Sequence, residues 1–300
     1  MIRLRVFVLF VWACASCAWA QTPPPSYVLD NTEVHSLHAN RLQRDYQLFV
    51  SLPDSYRQST RRYPVLFVTD ANYGFPLLRS IARRVGDHGR RLDEFILVGI
   101  SYAQGDTPEY SRRRDYTPTP RGDKDAVSDM PGRAPAFGQA EPFRQFIAEQ
   151  VFALVEKHYR ADMSHKVFAG HSYGALLGAH ILLTEPTMFE HYILGSPSLW
   201  FDDKVMFRRE SEYAASHKDL QAKVFLGAGA FETLKPASAD PRYNRTNDMV
   251  GDMQRFERVL KSRRFAGLHI HSKVIEDEDH LTVAPAILTR GLLWALGTRH

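Results

Sequence analysis

The chain is 300 residues long, 44% hydrophobic and 24% charged, with a formal net charge of +4. Removing Arg3 and Arg5 with an N-terminal leader leaves 36 basic against 34 acidic residues, a balance that argues against a generic nucleic-acid binder. Both cysteines, Cys14 and Cys17, lie inside that leader, so the exported remainder has no thiol. That excludes a disulfide scaffold, a cysteine enzyme and a Cys-based metal site.

The leader itself spans Met1 to Ala20. Arg3 and Arg5 precede an apolar run from Val6 to Val11, and Ala18-Trp19-Ala20 stands before Gln21, the order of a secretory signal with an A-x-A cleavage site. The expected mature protein therefore begins at Gln21 and is secreted or periplasmic. The apolar run is shorter than the roughly 20 residues of a spanning helix, so no stable membrane insertion is expected after cleavage. A lipid anchor at Cys17 is the rival, weakened by Cys14 where such signals usually carry Leu. The remaining residues, 21–300, suit a single domain with a sizeable core, and no internal repeat is visible.

After the prolines at 23–25, the stretches Thr32 to Ala39 and Asp45 to Pro53 read as antiparallel strands. In the second, Tyr46, Leu48, Val50 and Leu52 alternate with Gln47 and Ser51, the period of a half-buried strand. Tyr63 to Asp70 and Glu94 to Ile100 are instead continuously apolar, as strands of a parallel sheet covered on both faces are. Helical spacing from Phe75 to Val85 lies between them, which gives the order of a doubly wound α/β sheet. Tyr102 to Gln139 shows no convincing periodicity and holds Pro108, Pro118, Pro120, Pro131 and Pro135. Such a long segment after a parallel strand should lie over the carboxyl edge, where these folds bind ligands. A helix follows from Pro142, with Phe143, Phe146, Ile147, Val151, Leu154 and Val155 on one apolar stripe that reads as core.

Lys166 to Gly178 then runs from an apolar strand through Gly170-His171-Ser172-Tyr173-Gly174 into an apolar helix start. A G-x-S-x-G pattern arises by chance in about one chain in ten of this length, so an incidental tight turn is the alternative and context must decide. Here strand and helix flank it as a nucleophile elbow requires, and Gly170 and Gly174 remove bulk on either side of Ser172. The turn also aims the Tyr173 N–H and the positive helix end at one point, where an oxyanion could sit. A second donor is expected from Asn72 or Tyr73, after the strand ending at Asp70. Strands at His191 to Leu194, Ala222 to Gly227 and Leu268 to Ile275 alternate with helices at Lys204 to His217, Asn247 to Arg263 and Leu281 to Leu296.

Of thirteen histidines, His280 lies just after the last strand and before the last helix, on the edge expected for Ser172. A neutral imidazole there could take the serine proton and return it to a leaving alcohol. His171 adjoins the serine but should point away in an elbow, and His269 and His271 sit within a strand. For the acid, Glu232 follows the strand at Ala222 to Gly227, and Ser172, Glu232, His280 match the chain order of α/β-hydrolases. Asp248 and Asp252 compete, and a surface carboxylate is the plain alternative. Arginines cluster at Arg61-Arg62, Arg83-Arg84, Arg90-Arg91, Arg112-Arg113-Arg114 and Arg208-Arg209, each either a solvated face or part of an anionic substrate's approach. Within the long segment, Arg113 and Arg114 are the candidate substrate contacts, with one arginine of that trio expected to pair with Asp115. No metal or cofactor motif is present: neither H-x-x-x-H nor H-E-x-x-H occurs, and no G-x-G-x-x-G follows a strand.

Pro64 to Asp70, Arg114-Asp115-Tyr116-Thr117-Pro118, Gly170 to Gly174 and Asp279-His280-Leu281-Thr282-Val283 together resemble the putative esterase (esterase D-like) family, nearest to its periplasmic siderophore trilactone esterases. The resemblance covers nearly all of the mature chain. It implies an α/β-hydrolase fold and hydrolysis of a small-molecule carboxylic ester through an acyl-enzyme, with Ser172 as nucleophile and His280 as base. Some relatives lack a full triad, which leaves the acid open between Glu232, Asp248 and none. The family also includes esterases for carbohydrate-linked esters and acyltransferases, and a catalytically silent binding protein could keep the same fold.

Overall fold

The computed structural model describes residues 26–122 and 125–298, so the leader read in residues 1–20 lies outside the described residues. Residues 31–300 form one compact unit. In chain order its elements are β1 (Thr32–Ala39), β2 (Arg44–Ser51), β3 (Tyr63–Val68), α1 (Ala71–Gly86), β4 (Ile96–Ile100), α2 (Pro108–Tyr116), α3 (Ala140–Phe146), α4 (Phe152–His158) and β5 (Ala161–His171). They continue with α5 (Tyr173–Thr184), β6 (His191–Gly195), α6 (Phe201–Ser216), β7 (Ala222–Gly229), α7 (Met249–Ser262), β8 (Leu268–Ile275) and α8 (Ala284–Leu296). A π-helical turn at Ile147–Val151 joins α3 to α4.

The eight strands form one sheet in the order β1-β2-β4-β3-β5-β6-β7-β8. β1 and β2 pair antiparallel, β2 joins β4 antiparallel, and every further pairing is parallel. The sequence pattern explains where each strand sits. β4 and β6 are apolar without alternation and buried along their whole length, because helices cover both faces of the sheet there. β8 alternates Leu268, Ile270 and Val274 against His269, His271 and Lys273, as an edge strand with one wet face does. Helices α1 and α8 contact each other on one side, while α5 packs with α2, α3 and α6 on the other. Tilted and edge-to-face rings of Phe67, Phe152, Phe168, Phe189 and Tyr192 fill the core behind β5.

One element departs from the sequence reading. The segment after β4 contains α2, capped by the Thr107 side chain, which accepts the Tyr110 N–H at 3.3 Å, with Pro108 at the first helical position. Its buried face is Ser111, Arg114, Asp115 and Tyr116 instead of an apolar stripe, so hydrophobic periodicity has nothing to register.

Candidate active site

The elbow is built by β5 running into α5 with Ser172 between them. Ser172 holds φ 59°, ψ −119°, a left-handed conformation that costs a non-glycine residue free energy and survives where surrounding contacts fix it. Those contacts are on both sides: the Ser172 N–H donates to Gly195 O at 2.9 Å, and its carbonyl accepts the Leu176 N–H at 3.0 Å. Both glycines are needed by contact as well as by pattern. A Cβ on Gly170 would lie 2.5 Å from the Gly174 carbonyl, and one on Gly174 would lie 2.4 Å from Thr69 Oγ1.

Three parallel strands, β5, β7 and β8, with β6 between the first two, deliver three side chains to one place beyond their carboxyl ends. Ser172 Oγ, after β5, is 3.0 Å from His280 Nε2 in the turn after β8. His280 Nδ1 is 2.7 Å from Glu232 Oε2, which follows β7. Glu232 is 1% exposed and its other oxygen accepts Ser196 Oγ–H at 2.5 Å and the Gly229 N–H at 2.8 Å. With that carboxylate on Nδ1, the Nδ1–H tautomer leaves Nε2 free to accept the serine proton. The imidazole is held from behind by His171, whose ring centroid lies 4.7 Å away. Burial, then the neighbouring His280, pushes the His171 pKa down to about 3, so it stays neutral and adds no charge behind the relay. The elbow pattern predicts only that His171 points away from the serine; the structure adds that its ring is seated on that of His280.

The competing acids do other work. Asp248 caps α7, accepting the N–H groups of Gly251 at 3.0 Å and Leu234 at 3.3 Å. Asp252 pairs with Lys204 at 2.5 Å. His269 and His271 stay on β8, where the His271 ring faces Phe225.

Tyr173 is the first residue of α5 and Asn72 the second of α1, so two helix starts face the same edge. Tyr73 is a correction: its N–H is committed to Asp70 O at 2.9 Å and cannot also serve an oxyanion. Asp70 itself adopts φ 54°, ψ 44°, and its carboxylate accepts Arg112 Nε–H at 2.8 Å. Burial pushes the Asp70 pKa up, against the pull of Arg112.

The arginine reading is also corrected. Arg114 is 3% exposed and forks onto Asp115 at 2.7 and 2.9 Å, with Asp106 at 2.5 Å on its far side. Arg113 turns to Glu109 Oε1 and the Val127 carbonyl, both at 2.8 Å. Neither lines the cavity of about 530 Å³ beside His171 and His280, whose walls include Tyr73, Tyr102, Arg112, Leu281, Ala284 and Leu288. Pro108, Glu109 and Arg112 do line it, at the i, i+1, i+4 spacing of one helix face. That spacing is legible once Thr107-Pro108 is taken as a helix start. Among the described residues no cluster of His, Cys, Asp or Glu is arranged to hold a metal ion, and no helix is long and apolar enough to cross a membrane.

Known proteins agree with this architecture. The chain is 28% identical over 281 residues to the ferri-bacillibactin esterase BesA of Bacillus subtilis, covering 90% of this chain and 91% of that one. It is 27% identical to the siderophore enterobactin esterase of Emericella nidulans, covering 92% and 97%. Among solved structures, the BES protein of Bacillus cereus superposes with a TM-score of 0.74 at 25% identity, over 92% of this chain and 99% of that one. Residues 39–250 match the family model described as "Putative esterase", so the chain belongs to that family and is a serine esterase of the α/β-hydrolase fold.

Proposed function

We propose that Ser172, His280 and Glu232 are nucleophile, general base and orienting acid, and that the protein hydrolyses siderophore esters of the catecholate trilactone type outside the cytoplasm. The observation that carries this reading is the continuous relay from Glu232 through His280 to Ser172, at 2.7 and 3.0 Å, beside a cavity that admits a small molecule. In the first half-reaction the Ser172 proton passes to His280 Nε2 as Oγ bonds the ester carbonyl carbon. Glu232 stabilises the imidazolium that forms. The oxyanion lies against the Tyr173 and Asn72 N–H groups, and collapse of the tetrahedral adduct expels the alcohol with the proton from His280. Water then enters, gives its proton to the same nitrogen and releases the acid.

The siderophore part of the reading is supported by the names of the two esterase relatives and by the cavity's walls. Tyr73, Tyr102, Leu281 and Leu288 offer aromatic and apolar surface suited to catechol rings. Export is supported by the leader pattern at 1–20, with residues 21–300 as the single mature domain. The test uses mature protein with a catecholate trilactone, a series of p-nitrophenyl esters and a fluorophosphonate probe. Wild type is expected to take up the probe and to cleave the trilactone with the higher kcat/KM. Ser172→Ala is expected to do neither, with an unchanged melting temperature. Probe labelling that persists in Ser172→Ala removes the nucleophile assignment, and a trilactone left intact by an enzyme active on p-nitrophenyl esters removes the substrate.

A further inference from the structure

The turn after β6 touches both ends of the relay. β6 stops at Gly195, and Ser196-Pro197-Ser198 carries the chain toward α6. Ser196 takes a left-handed φ of 43° while its N–H donates to Gly227 O at 2.7 Å and its hydroxyl grips Glu232. Two residues later, Ser198 is 1% exposed, and its N–H points at the Ser172 carbonyl at 3.4 Å. Its hydroxyl oxygen lies 3.4 Å from Ser172 Oγ, the one hydrogen-bond partner that hydroxyl has among the described residues. A buried hydroxyl usually finds a closer partner than that.

The direction of this contact follows from the proton count. Ser172 has one hydroxyl hydrogen, and it points to His280 Nε2 at 3.0 Å. Ser172 Oγ can therefore only accept from Ser198, whose own hydrogen is free to turn toward it. We infer that Ser198 is a catalytic residue, a hydroxyl donor to the nucleophile oxygen in both half-reactions. This rests on the assignment of Ser172 as nucleophile. In acylation the Ser172 proton moves to Nε2, the Oγ lone pair forms the bond to the carbonyl carbon, and the carbonyl π pair moves onto its oxygen. Ser198 keeps its proton and bonds the Oγ in the transition state, where proton transfer ahead of C–O bond formation leaves partial negative charge on that atom before it passes to the carbonyl oxygen. In deacylation water supplies the new carbonyl oxygen and gives a proton to Nε2. The C–Oγ bond breaks, its electron pair returns to Oγ, and Ser198 stabilises that developing alkoxide until Nε2 reprotonates it.

The 3.4 Å separation is longer than the roughly 2.7–2.8 Å of a formed O–H···O bond. A contact that tightens only as charge develops strengthens from ground state to transition state, and such contacts raise kcat without lowering KM. A space-filling role makes the opposite demand, since it is blind to the hydroxyl hydrogen.

Ser198→Ala removes the donor with almost no change in volume, and Ser198→Cys keeps the shape with a weaker one. The measurements are the fluorophosphonate labelling rate, kcat and KM for p-nitrophenyl acetate, and the melting temperature, on the mature chain. For Ser198→Ala, labelling and kcat are expected to fall about tenfold, about 1.4 kcal/mol, with KM and melting temperature unchanged and Ser198→Cys in between. Wild-type labelling and kcat in Ser198→Ala would overturn the inference, as would a loss confined to KM or one that tracks a lowered melting temperature. If Ser198→Ala does not fold, Ser198→Cys decides alone by the same criteria. Ser172→Ala, run alongside, separates the two assignments. Retained labelling there removes both, whereas an inert Ser172→Ala beside an unaltered Ser198→Ala removes only this one.

Discussion

Two walls of the molecule near the cavity, one at the strand ends and one behind the lining face of α2, use polar side chains in opposite ways. On the wall formed by the ends of β5, β6, β7 and β8, each polar group hands its partner on: Ser196 to Glu232, Glu232 to His280, His280 to Ser172. The chain of bonds runs from a carboxylate 1% exposed to a histidine side chain 33% exposed, so it ends where a substrate can enter. On the wall formed by α2, the charges close on one another. Arg114, Asp115 and Asp106 share a buried cluster that also takes in Tyr46 and Ser111, and apart from Arg133, which reaches Asp106 at 2.8 Å from the surface, its hydrogen bonds return inward. An open network can do chemistry at its free end, while a closed one can only hold shape. Removing a member of the first should cost activity and spare stability, and removing a member of the second should do the reverse.

The largest effect expected from the open wall after loss of the nucleophile is that of His280→Ala, on the order of 10⁵–10⁶-fold in kcat near neutral pH, because among the described residues no other base reaches Ser172 Oγ. Glu232→Gln should cost about 10⁴-fold, since the amide cannot hold the Nδ1–H tautomer or steady the imidazolium. Both variants should melt close to wild type. Equal activity in Glu232→Gln and wild type would mean that the relay is a serine–histidine pair and that Glu232 belongs with the closed wall.

On the closed wall, Arg114→Met is expected to lower stability by about 3–5 kcal/mol, because buried Asp115 would keep only Arg44, at 4.0 Å, and Asp106 only the exposed Arg133. Burial works against the Arg114 charge, yet hydrogen bonds and charge from Asp115, with Asp106 behind it, raise its pKa above the ordinary arginine value. Denaturant melts measure this. The folded fraction should keep its kcat on p-nitrophenyl acetate within a few fold, and a specific loss of kcat without a loss of stability would move Arg114 to the open wall.

The same contrast explains what the sequence could carry. Gly170 and Gly174 announce the elbow because the backbone itself excludes a side chain there, Glu232 announces itself by following the apolar run of β7, and His280 by following the alternating edge strand β8. Nothing comparable marks α2. Its buried face is stabilised by charge pairing instead of apolar area, so the residues that face inward look like residues that face water. Ser196 and Ser198 were missed for another reason: a serine in a turn is ordinary, and only the register of β6 against β5 and β7 brings these two to the relay. Asn72 and Tyr73 are equal candidates on sequence offset, which does not tell which N–H the first turn of α1 has already used.

The smallest expected effect sharpens the comparison most, because it concerns one of the two arginines, Arg113 and Arg114, that the sequence pattern singled out for substrate binding. Arg113 sits between Arg112, which lines the cavity, and Arg114, which is locked in the buried cluster, yet it shares neither situation. Its guanidinium reaches Glu109 one turn back on the same helix and the Val127 carbonyl, and its side chain is 23% exposed. An i, i+4 pair of this kind contributes about 0.3–0.5 kcal/mol, and an ion pair near the surface rarely more than about 1 kcal/mol. Arg113→Ala should therefore lower stability by less than about 1 kcal/mol. The decisive reading is kinetic: kcat/KM for an anionic catecholate ester and for a neutral p-nitrophenyl ester should both stay within twofold of wild type, at low and at high salt. Recognition of an anion by Arg113 would instead give a loss on the charged ester alone that shrinks as salt is added. That result would extend the cavity-facing set of α2 from Pro108, Glu109 and Arg112 to Arg113, and the division between a wall that reacts and a wall that holds would fail at its nearest point.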